Sequence, residues 1–372
     1  MTDVPWFRRL RRIGMLLLLA LVVEFLVLPQ LAGTRKALEL LGDVDWRWLT
    51  LGVVLESGAI GAYAQLTRSL LPKDDRVSLA TTARVTMATL GISHVVPGGT
   101  IAGSTLGYRL LVAAGVTGTD AGFALATQGL GSALVLNALL WLGLVVTIPL
   151  RGFHPLFGTA AILGALLLAA FAVAVLLLTK GEDRVAKVVC RVASRVPFLE
   201  PDAVERLLRS VSARLQMLLA DRPLLARAAG WAALNWVLDA ASLWVFLAAF
   251  GHRMGPDGLL VAYGLAYVLA AIPVTPGGLG VVEAVLTSML VAFGSDRGVA
   301  VLGVVSYRLV NFWLPIPLGG FAYLSLKVDH RRLASLREEA SRAIDEAQGA
   351  RQWAGERGIN VPRRRQSTGD TT

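Results

Sequence analysis

Six apolar runs, each about 20 residues or longer, dominate this chain and limit what it can fold into. They cover residues 13–32, 46–71, 119–150, 157–179, 226–250 and 298–327. A helix rises about 1.5 Å per residue, so such a run matches the roughly 30 Å hydrocarbon thickness of a bilayer. In that solvent every backbone N–H and C=O must be satisfied within the segment, which selects helix. The composition agrees, with 55% hydrophobic and 17% charged residues and a mean hydropathy of +0.61. The expected fold class is therefore an all-α polytopic membrane protein. The first run follows Arg8, Arg9, Arg11 and Arg12 but lacks a small-residue cleavage pattern, so it reads as a retained helix and not a signal peptide.

Two further apolar stretches, 79–115 and 257–294, each consist of two arms joined by a Pro-Gly-Gly break. The breaks are Pro97-Gly98-Gly99 and Pro276-Gly277-Gly278, and each stretch reads as a broken, re-entrant helical hairpin. Because a hairpin adds an even number of crossings, sidedness follows from the six spans. With the N-terminus inside, 26 Lys/Arg fall on the cytoplasmic side and Arg35, Lys36, Arg47, Arg151, Arg253 and Arg297 on the other. That asymmetry predicts cytoplasmic N- and C-termini in an inner membrane. It also places the hairpins in opposite orientations.

A shift of 179 positions lays the first Pro-Gly-Gly on the second and Gly115 on Gly294 without a gap. Opposed, related hairpins are what an inverted-topology repeat produces, commonly with a substrate site at the midplane. Coincidence between two residue types frequent in membrane helices is the competing explanation. Gly99, Gly103 and Gly107, and likewise Gly280, Ala284, Ser288 and Ala292, read as small-residue packing faces.

The membrane domain is expected over 1–328. Residues 180–225 form an Arg-rich cytoplasmic loop, either on the lipid surface or a solvated connector. Residues 329–372 are expected to be a charged cytoplasmic tail, helical at first and then disordered. The single cysteine, Cys190, excludes an intramolecular disulfide. The net charge of +10 follows the membrane orientation, so no nucleic-acid partner is expected.

No phosphate-binding Gly-rich loop, His-Glu-x-x-His or Gly-x-Ser-x-Gly occurs, and the four histidines are scattered. No cofactor, metal or catalytic residue is expected. What remains is a set of ionisable residues inside apolar runs: Glu24, Glu56, Arg84, His94, Arg109, Asp239, Glu283 and Arg308. Each costs about 2.5–3.5 kcal/mol at the bilayer centre unless it faces a cavity or a partner.

Glu283 lies near the start of the second arm of its hairpin, where the helix dipole favours a carboxylate, and Arg308 follows at a depth suited to a buried ion pair. Such a pair serves either substrate or structure. Arg84 and Arg109, on the two arms of the first hairpin, together with N–H groups freed at Gly98 and Gly99, resemble an anion receptor for a phosphate-bearing headgroup; snorkelling is the other reading of Arg109. His94 reads as a proton carrier or as a packed histidine. Asp239 and Asn235, one turn apart, read as cavity-lining groups or as interhelical hydrogen-bonders. Glu24 and Glu56 are expected to pair with Arg84 or face headgroups.

The string Ile272-Pro273-Val274-Thr275-Pro276-Gly277-Gly278-Leu279-Gly280-Val281-Val282-Glu283, with Ser306-Tyr307-Arg308 and Asn311-Phe312-Trp313-Leu314-Pro315 downstream, resembles the membrane domain of the lysylphosphatidylglycerol synthase/flippase family. Gly107-Tyr108-Arg109-Leu110 echoes it after the first break. The resemblance implies a membrane-embedded translocator of amino-acylated phospholipid or another lipid, with Glu283, Arg308 and then Arg109 as leading substrate-binding residues and Gly277 and Gly278 beside them. Only 45 residues follow Lys327, too few for a synthase domain, so a stand-alone, non-enzymatic member is expected. A scaffold for a partner lipid synthase or glycosyltransferase is the alternative, and a membrane-embedded lipid-modifying enzyme is a third. The sequence leaves the lipid and the oligomeric state open.

Overall fold

The computed structural model describes residues 46–72, 77–96, 99–151, 220–271 and 275–328, with scattered positions at 158–173 and at 216. The expected spans 13–32 and 157–179, most of the 180–225 loop, the 329–372 tail, and Glu24, Pro97 and Gly98 lie outside the described residues or touch them only at isolated positions. The chain divides into Met1–Tyr323 and Leu324–Thr372; the helical body belongs to the first unit, and the second is helical through Val328.

The described body is helical throughout. Its elements are α1 (Trp46–Leu70), α2 (Leu79–Val95), α3 (Gly99–Ala113), α4 (Gly118–Arg151), α5 (Arg222–Ala249), α6 (Pro256–Ala270), a single 3-10 turn at Pro276–Gly278, α7 (Val281–Ala292) and α8 (Arg297–Arg308). After α8 the backbone widens into a π turn, Leu309–Trp313, and continues as helix from 315. Four helices among the described residues are long and apolar enough to cross a membrane: Trp46–Leu70, Gly118–Leu150, Arg222–Ala249 and Arg297–Val328. They coincide with four of the six expected spans. The last is interrupted by the π turn, which hydropathy does not register.

Both expected hairpins are broken where the Pro-Gly-Gly strings stand, giving the pairs α2/α3 and α6/α7. At 12–17 residues the arms are about 18–25 Å long as helices, shorter than the roughly 30 Å apolar thickness. Their ends are set by local chemistry. The Ser78 hydroxyl accepts from Thr81 N to cap α2, Pro256 occupies the first turn of α6, and Asp296 accepts from Gly298 N to cap α8.

The two second arms end alike. Gly115 N donates to Val112 O and Val116 N to Leu111 O; Gly294 N donates to Val291 O and Ser295 N to Leu290 O. Gly115 and Gly294 have φ of 101° and 95°, a left-handed helix end that favours glycine. Each of these bonds recurs at a spacing of 179 residues, the interval that relates the two breaks.

Close approach of backbones organises the packing. Ser242 Oγ donates to Gly52 O at 3.0 Å and Asn235 Nδ2 to Ala59 O at 3.0 Å, so α5 runs antiparallel along α1. Gly143 and Gly264 let α4 and α6 meet. Gly103 and Gly107 are buried against Ser93 and Thr89 of α2, the packing face expected for the first small-residue series. The second series departs from expectation: Ala284, Ser288 and Ala292 lie on the exposed side of α7, because Val282, Leu286, Met289 and Leu290 fill its buried side. The main apolar core is formed by α4 to α8.

Gly91 and Gly319 mark the tightest contact of α2 with the last helix, since a Cβ at 319 would stand 2.5 Å from Met87 O and 3.0 Å from Gly91 Cα. Gly319→Leu is expected to destabilise the protein by about 1–3 kcal/mol. Gly320→Ala, whose Cβ meets nothing within 4 Å, is expected to be neutral or to stabilise by up to about 1 kcal/mol. Thermal melts of the two variants in the same micelle check this difference.

Candidate functional site

The second break is built from residues that only glycine tolerates. Gly277, Gly278 and Gly280 have φ of 54°, 70° and 84°, a region that a side chain disfavours. Space excludes side chains as well: a Cβ on Gly277 would lie 2.5 Å from the Phe312 ring and 3.0 Å from His94 Cδ2. The second break therefore sits directly against the end of α2, just before the first break.

From this turn α7 starts with Glu283 in its first turn. Oε2 accepts from Gly280 N at 2.6 Å, satisfying a backbone donor that the helix start leaves open. Oε1 accepts from Arg308 Nε at 2.6 Å, with both side chains buried. The expected ion pair is formed, and the carboxylate does two tasks at once. Arg308 reaches further, to Asn311 Oδ1 and to Gly277 O, both at 3.4 Å, and its guanidinium lies 4.4 Å from the centre of the Phe312 ring. One side chain thus ties α7, the glycine turn and the π segment together.

The π turn has a local cause. Pro315 supplies no N–H, and its ring would collide with the carbonyl four residues earlier, at Asn311, in a regular helix. Widening the preceding turn relieves that conflict, and Leu314 N instead donates to Leu309 O at 2.9 Å. Asn311 sits inside the widened turn. Its Nδ2 donates to Glu56 Oε1 at 3.0 Å and to Asp239 Oδ1 at 3.2 Å.

Asp239 is the best-supplied acceptor of the group. Tyr307 donates to Oδ1 at 2.6 Å and Tyr263 to Oδ2 at 2.7 Å. The hydroxyls of Tyr267 and Tyr307 are hydrogen-bonded, and Tyr267 also reaches Asn311 Oδ1 at 3.1 Å. Trp236 packs edge-on against both Tyr263 and Tyr267. The result is one buried polar network, containing three carboxylates and one guanidinium, that spans α1, α5, α6, α7, α8 and the π turn.

The other expected residues are placed differently. His94 donates from Nδ1 to Phe312 O at 2.9 Å and stacks on the Phe312 ring, a packed and hydrogen-bonded histidine. Asn235 is committed to the Ala59 carbonyl, so it does not share the Asp239 cluster. Gly99 opens α3 and is buried against Ser93. Arg84 is half-buried on α2, and Arg109 is exposed on α3. Gly98 lies outside the described residues.

Glu56 joins Asn311 and Asp239, so the expected pairing with Arg84 or the headgroups is replaced by a place in the centre. Tyr263, Tyr267 and Asn311, which hydropathy alone does not single out, also belong to the centre. A usable signal was present: Tyr263/Tyr267 and Tyr307/Asn311 are polar-tipped pairs at four-residue spacing inside apolar runs, each pair on one helix face.

The fold is that of an all-helical integral membrane protein among the described residues, and the chain matches the family described as "Lysylphosphatidylglycerol synthase TM region" over residues 13–319. The chain belongs to that family. It is 27% identical over 106 residues to "Inner membrane protein YbhN" of Escherichia coli, covering 28% of this chain and 32% of the relative. It is 30% identical over 89 residues to "UPF0104 membrane protein PH1989" of Pyrococcus horikoshii, covering 24% and 27%. It is 38% identical over 108 residues to "Uncharacterized protein slr0712" of Synechocystis, covering 28% and 32%. The chain spans about a third or less of the length of each of these relatives.

Removing one partner of the buried pair strands the other. Arg308→Gln and Glu283→Gln are each expected to cost about 3–5 kcal/mol, and the double variant clearly less than their sum. Denaturation of all four proteins in one double-mutant cycle provides the measurement.

Proposed function

We propose that this protein translocates a phospholipid or another lipid-linked anionic molecule across the cytoplasmic membrane, without a catalytic step of its own. The observation that carries the reading is the meeting of the glycine turn of one broken helix pair with the end of α2 in the other, at Gly277, His94 and Phe312, beside the buried Glu283–Arg308 pair. Irregular backbone and buried charge at membrane depth are tolerated where they line a path or are enclosed by protein. Recurrence of the helix-end bonds at 179-residue spacing supports an inverted-topology repeat, the organisation in which such paths are commonly built.

In this reading the two pairs are re-entrant from opposite leaflets, six spans surround them, and both termini are cytoplasmic. Arg84 and Arg109, with the amides at Gly98 and Gly99, meet the headgroup phosphate. Glu283, Arg308, Gly277 and Gly278 form the opposite side of the path, and His94, Asp239 and Asn235 supply polar groups along it. Arg308 keeps its geometry through Glu283 and Asn311, so it contributes field more than a free fork of donors. One observation favours the alternative of a membrane scaffold for a lipid synthase or glycosyltransferase: the hydrogen bonds around Asp239 close on one another.

Reconstituted vesicles carrying headgroup-labelled lipids separate the two. The protein is expected to equilibrate at least one phosphate-bearing lipid between leaflets faster than empty liposomes do. Arg84→Ala with Arg109→Ala is expected to slow this by about tenfold or more, the loss of one charge-assisted hydrogen bond. If no lipid exceeds the empty-vesicle rate, the scaffold reading stands instead.

A further inference from the structure

The three carboxylates of the central network are not equally provided for. Glu283 receives Arg308 and the Gly280 amide. Asp239 receives two tyrosine hydroxyls and the Asn311 amide. Glu56 is 4% exposed; among the described residues it receives one N–H, from Asn311 on Oε1, and its carboxyl group stands in hydrogen-bond contact with that of Asp239. Its Oε2 is buried and receives no donor among the described residues.

Glu56 as a residue also borders open space. It lines a cavity of about 250 Å³ bounded by α1, α2 and the chain from Val310 to Leu318, whose other walls include Ile60, Met87, Leu314 and Leu318. A carboxylate with one donor against an apolar wall is costly as an anion, by several kcal/mol or more in a medium that cannot solvate it. The only guanidinium of the network is already engaged by Glu283. A metal cation between Glu56 and Asp239 would meet the donor hydrogens of Asn311, which already occupy that gap. A proton shared between the Glu56 and Asp239 carboxyl groups answers both the charge and the missing donor.

We propose that Glu56 is a proton-exchanging site, whose carboxyl group takes up and releases a proton through the cavity it lines and shares that proton with Asp239. On release the O–H bond breaks heterolytically, the electron pair stays on the Glu56 carboxylate, and the proton leaves through the cavity that Glu56 lines. The elements packed against α1 contribute Asp239 of α5, Tyr307 and Arg308 of α8, and, from α2, His94 turned to Phe312 O and Arg84 beside the cavity-lining Ala83. Asp120, at the start of α4, accepts from Thr117. Tyr263 and Tyr267 of α6 and Glu283 of α7 are the further titratable groups of the network among the described residues. Discharging Glu56 alters the hold of Asn311 on α1, which links protonation to the turn that positions Arg308.

A role for this proton in driving lipid movement rests on the translocator reading; proton exchange itself does not. Infrared difference spectroscopy of the full chain in lipid nanodiscs, titrated across the neutral pH range, reads the carboxylic C=O band directly. A reversible band that is lost in Glu56→Gln and retained at a shifted position in Glu56→Asp is expected. A band that survives Glu56→Gln, the lack of any pH-dependent band in folded wild type, or a band that responds to sodium in place of pH overturns the proposal. Should Glu56→Gln not fold, an unshifted band in Glu56→Asp overturns it equally. In vesicles where the wild type moves lipid, a pH gradient is expected to accelerate it several-fold and to leave Glu56→Gln unaffected. Absence of wild-type lipid movement counts against the translocator reading alone, because the infrared result is independent of it.

Discussion

The ion pair between Glu283 and Arg308 is the constraint on which the central part of this protein depends. Arginine has no neutral form to retreat to in a protein, so its burial requires an anion and further acceptors within reach. Glu283 supplies the anion, while Asn311 and the Gly277 carbonyl supply the acceptors. Those demands fix three segments against one another: the glycine turn, the start of α7 and the end of α8. Once Arg308 is fixed, Asn311 is drawn between Glu56 and Asp239, and the requirement for donors passes outward to Tyr263 and Tyr307.

Irregular backbone is what allows this arrangement. Three left-handed glycines within four residues turn the chain so that the Gly280 amide points at Glu283. The π turn, forced by Pro315, aligns Arg308, Asn311 and Phe312 on one side over little more than a turn. Neither feature is a defect tolerated at random. Each frees backbone groups or redirects side chains at the place where the polar network needs them.

The two broken helix pairs share their helix-end bonding but not their chemistry. At the 179-residue shift, Glu283 corresponds to Ser104, Arg308 to Gly129 and Tyr307 to Gln128. Gln128 is buried and accepts from Thr67 at 2.8 Å, a neutral hydrogen bond where the other half has charge. The two breaks share their helix-end bonding, whereas among the described residues the ionic network stands at the second.

Much of the fold was legible because hydrophobic length and the Pro-Gly-Gly strings act locally: the bilayer needs about 20 apolar residues per crossing, and glycine and proline break helices wherever they stand. On those grounds four spans, both breaks and the candidate pair Glu283–Arg308 could be read before any coordinates. Local sequence did not place Glu56, whose partner Asn311 lies 255 positions away, nor separate Asn235 from Asp239, which share a helix but turn to different neighbours. Ala284, Ser288 and Ala292 kept the right spacing for a packing face and lie on the exposed side of α7. Periodicity along one helix states which residues share a face; only the packed bundle decides what that face meets, because a buried polar group is satisfied by distant donors and not by its neighbours in the chain.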